Sequence, residues 1–338
     1  MIERLEISNF RGITHEVIEF RPLTIFTGIN SAGKSTCINA ILNLLYYNNC
    51  PNAKDILRPL DFTFPANRNK NVNATYYDIR ASFDNGRELT VHKEMGADAG
   101  IQAVESEIDL EKNFYFLSAN RQGYSYEMET QSENYSVGLM GEYLFGALQR
   151  DGSERVEDEL VRYQDSYTLS AQVNYWLSYI LNMPFEVQTQ KVTHNQVLLQ
   201  YKTNGLDKMN PQFLGTGVSY LAKILIMCLR AHEKDVLMIE NPEIHLHPAA
   251  QSKLGEFFTF IANAGIQLII ETHCEHLLDK IQYRIHKQQF DPLKGVLYYK
   301  DHIEQPFTKI EYLPTGQYAT EFPEGFFDAT MSELMEME

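Results

Sequence analysis

A glycine-rich loop near the amino terminus constrains the fold of this chain more than any other segment. Residues 28–36 read Gly-Ile-Asn-Ser-Ala-Gly-Lys-Ser-Thr and match the phosphate-binding pattern G-x-x-x-x-G-K-[ST]. They follow the apolar run of residues 23–27, and residues 37–45 carry apolar side chains at helical spacing. The loop is therefore predicted to join a strand to a helix, whose amino-terminal dipole also favours phosphate. This context favours a nucleotide site over a chance match to the pattern.

Each residue type in the loop has a chemical role. The glycines let the backbone curl so that successive N–H groups point at phosphate oxygens. Lys34 supplies a mobile cation for the terminal phosphates, and the Ser35 hydroxyl is a candidate ligand of Mg²⁺. The predicted nucleotide-binding residues of the loop are Gly28, Asn30, Ser31, Ala32, Gly33, Lys34, Ser35 and Thr36.

Composition narrows the class of protein. The chain has 338 residues, 44% of them hydrophobic, which suffices for a substantial core in one large or two modest domains. A net charge of −16 argues against a protein coated by nucleic acid, because neutralising phosphates requires a surplus of Lys and Arg. A local basic groove remains compatible with this charge.

Targeting features and cysteine spacing predict a cytoplasmic protein with no membrane partner. The first residues, Met-Ile-Glu-Arg-Leu-Glu-Ile, form a mixed strand pattern rather than a signal peptide. No run approaches the roughly 18 apolar residues of a membrane span. The four cysteines show no metal-ligand spacing and are interpreted as reduced thiols; they are Cys37, Cys50, Cys228 and Cys274.

Alternating patterns predict a β-rich first part and a helical middle. Residues 2–10 and 17–20 alternate like paired strands, and residues 76–83 and 88–93 flank Asp-Asn-Gly-Arg, which is a hairpin signature. A further apolar run at residues 114–118 precedes a polar, helix-like stretch that ends near position 181.

This organisation predicts three parts of the chain. Residues 1–120 hold the phosphate loop and the hairpins, residues 121–205 form an inserted helical lobe, and residues 206–338 hold the remaining motifs. Residues 197–202 are predicted to form a strand. The lobe is too short for two long antiparallel arms and lacks sustained heptads, so no long coiled coil is expected.

Two apolar strands in the last part end in polar residues. Residues 235–240 end in Glu240, which can deliver a carboxylate to Mg²⁺ at the carboxyl edge of a parallel sheet. Residues 267–270 are followed by Glu-Thr and then by His273, which can hydrogen-bond a terminal phosphate or an attacking water.

A glycine-rich turn precedes the helix predicted over residues 220–229. Its Gly215 and Gly217 can present N–H groups to an anion, and Ser219 can present its hydroxyl. The alternative interpretation is a tight connection without a ligand.

A zinc site is a weaker alternative for the segment after Glu240. Glu243, His245 and His247 are potential ligands, but the neighbouring prolines prevent a helical i, i+4 arrangement. Turn formation and subunit contacts are therefore the favoured roles for these residues.

With its motifs in this order, the chain resembles the ATP-binding-cassette ATPase heads of the RecF, SMC and OLD type. Residues 5–12, Leu-Glu-Ile-Ser-Asn-Phe-Arg-Gly, resemble the opening strand of that group. Residues 239–251 and 270–276 resemble a small prokaryotic subfamily within it, and residues 322–328 are similar to that subfamily's C-terminal tail. The resemblance implies an α/β fold of the P-loop NTPase, ABC-ATPase type, with a mixed sheet, an antiparallel N-terminal β subdomain and an inserted helical lobe.

The resemblance also implies cofactors, roles and a partner. ATP and Mg²⁺ are the implied cofactors, and the implied metal-site residues are Ser35, Gln122 and Glu240. In such heads Gln122 would be the Q-loop residue, Glu240 the Walker B acid and His273 the switch histidine, while residues 215–219 would form a divergent signature. Arg11 is expected to reach the same nucleotide. Two copies would sandwich two ATP molecules, so a homodimer is implied, with higher oligomers left open.

One departure from the resemblance concerns catalysis. Such heads usually end the acidic strand in Asp-Glu, and the second residue polarises the attacking water, whereas this chain has Glu240 and Asn241. Asn241 can orient a water but cannot accept its proton. We therefore expect slow hydrolysis, with Glu243 as the candidate base.

The resemblance extends to biological role. About 65 residues follow His273, too few for the second, nuclease domain of OLD-type proteins. Stand-alone heads of this kind in prokaryotes often act as the sensor or scaffold of an anti-phage defence system, with a separately encoded nuclease or toxin as effector. This is the leading hypothesis for the chain.

A DNA-repair or chromosome clamp of the RecF type is the alternative hypothesis. It requires a basic strip that binds duplex DNA. The candidate residues lie in the N-terminal β region and are Arg58, Arg68, Lys70, Arg80, Arg87 and Lys93. A transporter ATPase is disfavoured, because the Asn-Phe-Arg opening and the Leu-His-Pro segment do not belong to that branch.

Overall fold

The computed structural model describes residues 1–321 except 49, 51, 61, 63–73, 95–99, 103–107 and 122–128. Arg68, Lys70, Gln122 and the tail of residues 322–328 therefore lie outside the described residues. The chain divides into two compact units. Unit 1 comprises Met1–Leu110, Glu271–Glu275 and Gln282–Glu338, and unit 2 comprises Glu111–Ile270 and His276–Ile281.

The strands come mostly in groups separated by one or two helices. In chain order the strands are β1 (Ile2–Phe10), β2 (Ile13–Glu19), β3 (Leu23–Gly28), β4 (Tyr76–Phe83), β5 (Glu88–Glu94), β6 (Gly100–Gln102), β7 (Phe114–Leu117), β8 (Glu129–Thr130), β9 (Glu186–Lys191), β10 (Gln196–Thr203), β11 (Leu206–Met209), β12 (Val236–Glu240), β13 (Gln267–Glu271), β14 (Gly295–Lys300) and β15 (Thr308–Glu311). The helices are α1 (Lys34–Tyr47), α2 (Ala53–Ile56), α3 (Leu144–Asp151), α4 (Leu169–Leu181), α5 (Thr216–Leu229), α6 (Pro248–Asn263) and α7 (Glu275–His286).

Unit 1 contains an antiparallel sheet with the strand order β2-β1-β4-β5-β6. The predicted hairpin is confirmed, because β4 and β5 pair from Tyr76 opposite Glu94 to Ser82 opposite Glu88. Gly86 in its turn has a φ of +78°, a left-handed conformation that glycine adopts without a steric penalty. The second predicted strand begins earlier than expected, at Ile13. The antiparallel N-terminal β subdomain is thus present as predicted.

The strand that leads into the phosphate loop is fully buried. Every residue of β3 is buried, which explains why its sequence, Leu-Thr-Ile-Phe-Thr-Gly, has no charged residue and does not alternate between apolar and charged positions. In unit 1, β3 pairs in parallel with β14, from Leu23 opposite Gly295 to Gly28 opposite Lys300, and β15 pairs antiparallel with β14. Phe26 of β3 packs against the rings of Tyr298 and Phe307. The loop after β3 therefore rests on a rigid core.

Unit 2 places its strands and helices around a second core. Strand β12 pairs in parallel with β7, and β13 lies on the other side of β12. Helix α4 packs on α5 and α6. At the contact with α6, the ring of Trp176 lies 4.9 Å from that of Phe257 and 5.1 Å from that of Phe260, measured between centroids.

The middle segment is mixed rather than helical. Within residues 121–205 the structure has α3 and α4 but also β8, β9 and β10, and β10 pairs with both β8 and β9. The strand predicted over residues 197–202 is confirmed as β10. Strand β9 has the sequence Glu-Val-Gln-Thr-Gln-Lys, in which only Val187 is buried. Its sequence therefore lacks the alternation of apolar and polar residues that predicts a strand. Its backbone pairing with β10 makes it a strand.

Two further expectations concern the membrane and the thiols. Among the helices of the described residues, none combines the length and apolar composition needed to cross a bilayer. All four cysteines are buried and unbonded to one another, as expected for reduced thiols.

Candidate nucleotide site

The phosphate loop in unit 1 curls through three left-handed residues. Gly28 has a φ of +130°, Ser31 of +62° and Gly33 of +100°. A Cβ atom on Gly28 would lie 2.0 Å from the Lys300 carbonyl oxygen, so only glycine fits where β3 meets β14. Loop residues Asn30 and Ser31 are exposed, whereas Ala32 and Thr36 are buried beneath the loop. This backbone forms a cradle that a nucleotide phosphate can enter.

Lys34 is the first residue of α1 and reaches back over the loop. Its side chain is buried, and Nζ donates a hydrogen bond to the Ile29 carbonyl at 2.5 Å. Burial lowers the pKa of Lys34, while the negative charge of Glu271 acts in the opposite direction. The ammonium group is therefore held above the loop, where terminal phosphates would bind.

Ser35 contacts a carboxylate that sequence reasoning gave no role. Its Oγ donates a hydrogen bond of 2.9 Å to Oε1 of Glu271. Glu271 is the last residue of β13 and is only 5% exposed. The sequence carried a signal for it, because Glu271 follows the three apolar residues 268–270, much as Glu240 follows the apolar residues 236–239.

His273 lies two residues further along, on the same segment of unit 1. The Thr272 N–H donates to the Phe26 carbonyl at 3.0 Å, which keeps this segment beside β3. Burial lowers the pKa of His273, the charge of Lys34 lowers it further, and a hydrogen bond with the Gly28 backbone acts in the opposite direction. A neutral imidazole therefore lies near Lys34 at the carboxyl end of β3.

Arg11 occupies the turn between β1 and β2. It has a φ of +50°, and its guanidinium carbon lies 5.7 Å from the centroid of the Phe10 ring. Its reach to a nucleotide stays a prediction.

The acidic strand end in unit 2 is a compact polar cluster. Oε2 of Glu240 accepts hydrogen bonds from the Ala119 N–H at 3.0 Å and the Ser118 hydroxyl at 3.3 Å. Burial raises the pKa of Glu240, and these hydrogen bonds counteract part of that rise. Asn241 follows with a φ of +43°, so the chain turns sharply here.

A buried arginine that sequence reasoning missed holds this turn. The Arg121 guanidinium donates to the carbonyls of Glu240 and Asn241, and it is close enough to Glu243 for their charges to interact. The Tyr220 hydroxyl donates to the Arg121 carbonyl at 3.0 Å. No local pattern marks Arg121, because its partners lie about 120 residues away.

Two of the potential zinc ligands, His245 and His247, take part in local structure. His245 has a φ of +63° and its ring lies 5.5 Å from that of Tyr220. His247 is the N-cap of α6, where its Nδ1 accepts a hydrogen bond from the Ala249 N–H at 3.3 Å. Their placement agrees with the turn role favoured from the sequence.

The glycine-serine turn differs from expectation at one position. Helix α5 begins at Thr216, earlier than predicted, so Ser219 lies a turn inside the helix. Ser219 is buried, and its hydroxyl is 3.0 Å from that of Tyr201. We therefore correct the expectation that Ser219 presents its hydroxyl to an anion, because this hydroxyl contacts Tyr201 instead. Gly217 packs on the His245 carbonyl, and Gly215 is the exposed N-cap.

The basic residues of the N-terminal β region are interspersed with acids. Arg58 and Arg87 are exposed, Arg80 lies 4.0 Å from Glu88, and Lys93 lies over the ring of Tyr47. On the same strands, His92 contacts both Asp78 and Glu94. The described part of this region therefore presents mixed charges rather than a continuous basic strip.

A family model described as "AAA domain, putative AbiEii toxin, Type IV TA system" matches residues 101–279, which is more than half of the chain. The chain belongs to this AAA domain family. A second AAA domain model matches residues 1–71, which include the phosphate loop. Family membership indicates P-loop ATPase activity and nucleotide binding, typically with Mg²⁺. No curated protein matches the sequence of this chain.

Solved structures of SMC heads share the fold. An SMC head bound to the C-winged helix domain of ScpA is 14% identical, with 92% of this chain and 97% of that chain covered and a TM-score of 0.56. The SMC head with an extended coiled coil bound to the C-terminal domain of ScpA, from Pyrococcus furiosus, is 10% identical, with 99% of both chains covered and a TM-score of 0.55. These likenesses confirm the predicted α/β fold of an SMC-type ATPase head.

The loop residues of this AAA domain fit a triphosphate and its Mg²⁺. The cradle of left-handed residues would be filled by a side chain at Gly28, Lys34 provides the cation, and Ser35 provides a hydroxyl oxygen. Bound Mg²⁺ would neutralise phosphate charge, and Ser35 is the loop side chain that can hold it.

Proposed function

We propose that this chain is an ATPase whose copies dimerise around ATP, and that it serves as the sensor or scaffold of a prokaryotic anti-phage defence complex. A nuclease or toxin encoded separately is the effector in this proposal. The observation that carries the ATP-dependent dimer is the start of α5, where the exposed N-cap Gly215 makes no side-chain hydrogen bond, in a chain that also has an assembled phosphate loop.

The start of α5 is suited to an anion from another molecule. Gly215 is the N-cap and has no side chain that could accept a hydrogen bond from the first-turn N–H groups. A 14-residue helix concentrates positive dipole at this end. Phe213, just before the cap, is 74% exposed. An exposed large apolar side chain beside an anion-binding helix end supports a contact with a second copy that carries ATP.

The catalytic residues support slow turnover. Lys34 and the loop N–H groups would bind the phosphates, and the neutral His273 is suited to a hydrogen bond with the γ-phosphate or water. Asn241 can orient a water without accepting a proton. Glu243 is the candidate base, although the nearby Arg121 guanidinium also interacts with its charge. ATP binding, rather than rapid hydrolysis, would then set the lifetime of the dimer.

Support for the defence role comes from the comparisons. The matched family model is described as a putative AbiEii toxin of a type IV toxin–antitoxin system. The SMC heads of similar fold are bound to another protein, a domain of ScpA. By analogy, a head of this kind can serve as the ATP-controlled platform for a separate effector.

The first experiment measures mass and phosphate release together. Wild type, Lys34→Ala and Glu243→Gln are compared with and without Mg·ATP by light scattering and a phosphate assay. We expect wild type to double in mass with little phosphate release, and Lys34→Ala to remain monomeric. Brisk release abolished by Glu243→Gln would instead describe a fast ATPase with Glu243 as base. If the mass of wild type is the same with and without Mg·ATP, the ATP-bound dimer is ruled out.

The biological role needs a separate test in cells. Cells carry the gene for the chain together with its genomic neighbours, and the chain is either wild type or Lys34→Ala. Phage plaques are counted on both, and we expect protection only with wild type.

The DNA clamp is tested with a duplex probe at low salt. A salt-dependent shift lost on charge reversal at Arg68 and Lys70 would support the clamp instead.

A further inference from the structure

We propose that Glu271 is a positioning residue of the nucleotide site. Its carboxylate accepts a hydrogen bond from the Ser35 hydroxyl, and this bond leaves the lone pairs of the Ser35 oxygen directed toward the Mg²⁺ of a bound nucleotide. This inference rests on the proposed function, because it requires Mg·ATP at the phosphate loop. It assigns a role to a carboxylate distinct from Glu240.

The burial of Glu271 requires a compensating interaction. The four preceding residues of β13 are all buried, three of them are apolar, and Glu271 itself is 5% exposed. Burying a carboxylate is costly unless it is hydrogen-bonded or paired. The hydrogen bond from Ser35 at 2.9 Å and the charge of Lys34 provide that compensation within unit 1. A buried carboxylate therefore faces the two loop residues that would bind phosphate and metal.

The direction of the Ser35 hydrogen bond matters for metal binding. A serine hydroxyl has one proton and two lone pairs, so donating the proton to Glu271 leaves the lone pairs for a cation. A serine in the first helical turn can otherwise donate to a nearby backbone carbonyl, which would rotate the oxygen. Outer groups that orient a metal ligand in this way also raise its basicity. Glu271 thus acts on the metal through Ser35.

Glu240 is engaged differently in the described structure. Its Oε2 is held by the Ala119 N–H and the Ser118 hydroxyl of unit 2. The two acidic strand ends therefore have separate hydrogen-bond partners. We infer that the carboxylate that orients Ser35 is Glu271.

The test measures Mn²⁺ affinity rather than turnover. Binding of Mn²⁺ to protein saturated with a non-hydrolysable ATP analogue is followed by electron paramagnetic resonance. Glu271→Ala should weaken Mn²⁺ binding about 10- to 100-fold. Glu271→Gln keeps a hydrogen-bond acceptor and loses the charge, so it should weaken binding less. The matched control is Glu16→Gln, a buried carboxylate of unit 1 that accepts from the Phe307 N–H instead, and it should leave Mn²⁺ affinity unchanged.

A double-mutant cycle tests whether Glu271 acts through Ser35. In the Ser35→Ala background, Glu271→Ala should cause no further loss of Mn²⁺ affinity. Binding of the analogue in EDTA should be retained in every variant, which separates metal positioning from nucleotide binding. Melting curves verify that each variant is folded, and Glu271→Gln replaces Glu271→Ala if the latter is not.

Three outcomes would count against the proposal. Unchanged Mn²⁺ affinity in folded Glu271→Ala or Glu271→Gln would overturn the positioning role, and so would an equal loss with or without the Ser35 hydroxyl. Both outcomes leave the ATP-bound dimer intact. Failure of wild type to bind the analogue at all would overturn the proposed function and this inference together.

Discussion

Arg121 donates a hydrogen bond from Nη1 to the carbonyl of Asn241 at 3.1 Å. Its Nη2 donates to the preceding carbonyl, that of Glu240, at 2.5 Å. The arginine is 4% exposed, and burial lowers its pKa to about 10. A buried cation therefore fixes the turn that carries Asn241 and Glu243, the two residues to which the proposed function assigns control of the hydrolysis rate.

Removing Arg121 should destabilise unit 2. Arg121→Met keeps the length of the side chain but leaves two part-buried carbonyls without their donors, at a cost of about 3 kcal/mol in the free energy of unfolding. Fluorescence of Trp176, the only tryptophan and a member of unit 2, reports the urea transition. Arg155→Met is the control, because its exposed guanidinium makes a surface ion pair with Asp158 and should not shift the midpoint measurably. Equal midpoints for Arg121→Met and wild type would contradict the prediction.

The two turn glycines of unit 1 should differ in their tolerance of alanine. Gly28→Ala places a Cβ against the Lys300 carbonyl at a φ of +130°, so we expect a loss of about 3 kcal/mol or more and no nucleotide binding. Gly86→Ala also has a positive φ, but among the described residues no atom beyond the chain neighbours lies within 4 Å of its Cβ, so only about 1 kcal/mol should be lost. Urea unfolding followed by circular dichroism measures both. Similar losses would show that close packing at Gly28 is not the cause.

His273 should make stability depend on pH. Its pKa is lowered in the folded chain from an unfolded value near 6.5, so below that pH the unfolded chain binds the proton more readily. The resulting stability is fully present above pH 6.5 and is lost as the pH falls toward the folded pKa. The free energy of unfolding of wild type minus that of His273→Asn should therefore decrease from pH 7.5 to pH 5. A difference that is constant over this range would refute the assignment.

Phe213 should be needed for the ATP-dependent dimer. Phe213→Asp places a charge in an apolar contact, so the variant should stay monomeric in Mg·ATP while its affinity for the nucleotide is unchanged. Leu293→Asp is the matched control. Leu293 is 72% exposed and precedes β14, whose first residue Gly295 pairs with Leu23 at the end of β3 opposite the phosphate loop. Light scattering should show dimers of this control, and dimers of Phe213→Asp would exclude the contact.

The buried thiols should be unreactive in the folded chain. Burial raises the pKa of Cys37 and of Cys228, which suppresses the reactive thiolate. We expect a thiol reagent to label all four cysteines in urea and none in buffer within minutes. Because Cys37 lies in α1 just after the loop, Mg·ATP should slow its labelling further. Rapid labelling of folded protein would show that this helix opens readily.

Local patterns predicted the elements whose conformation is set by neighbouring residues. The hairpin of β4 and β5 follows from its turn sequence, and the junction of β3 and α1 follows from the glycine pattern. Strand β9 escaped prediction because its polar residues show no period, and its identity comes from pairing with β10. The burial of Ser219 was also not predicted, because α5 begins at Thr216, earlier than the sequence indicated.

The sequence by itself determined the phosphate loop, because Gly28 and Gly33 permit a backbone path that other residues resist. Only the tertiary structure decided which side chains meet that loop. Glu271 reaches Ser35 across 236 residues of chain, and the Ser219 hydroxyl turns inward to Tyr201. Such contacts depend on where distant strands and helices end relative to one another, which packing of the buried core fixes and no local spacing of residues can specify.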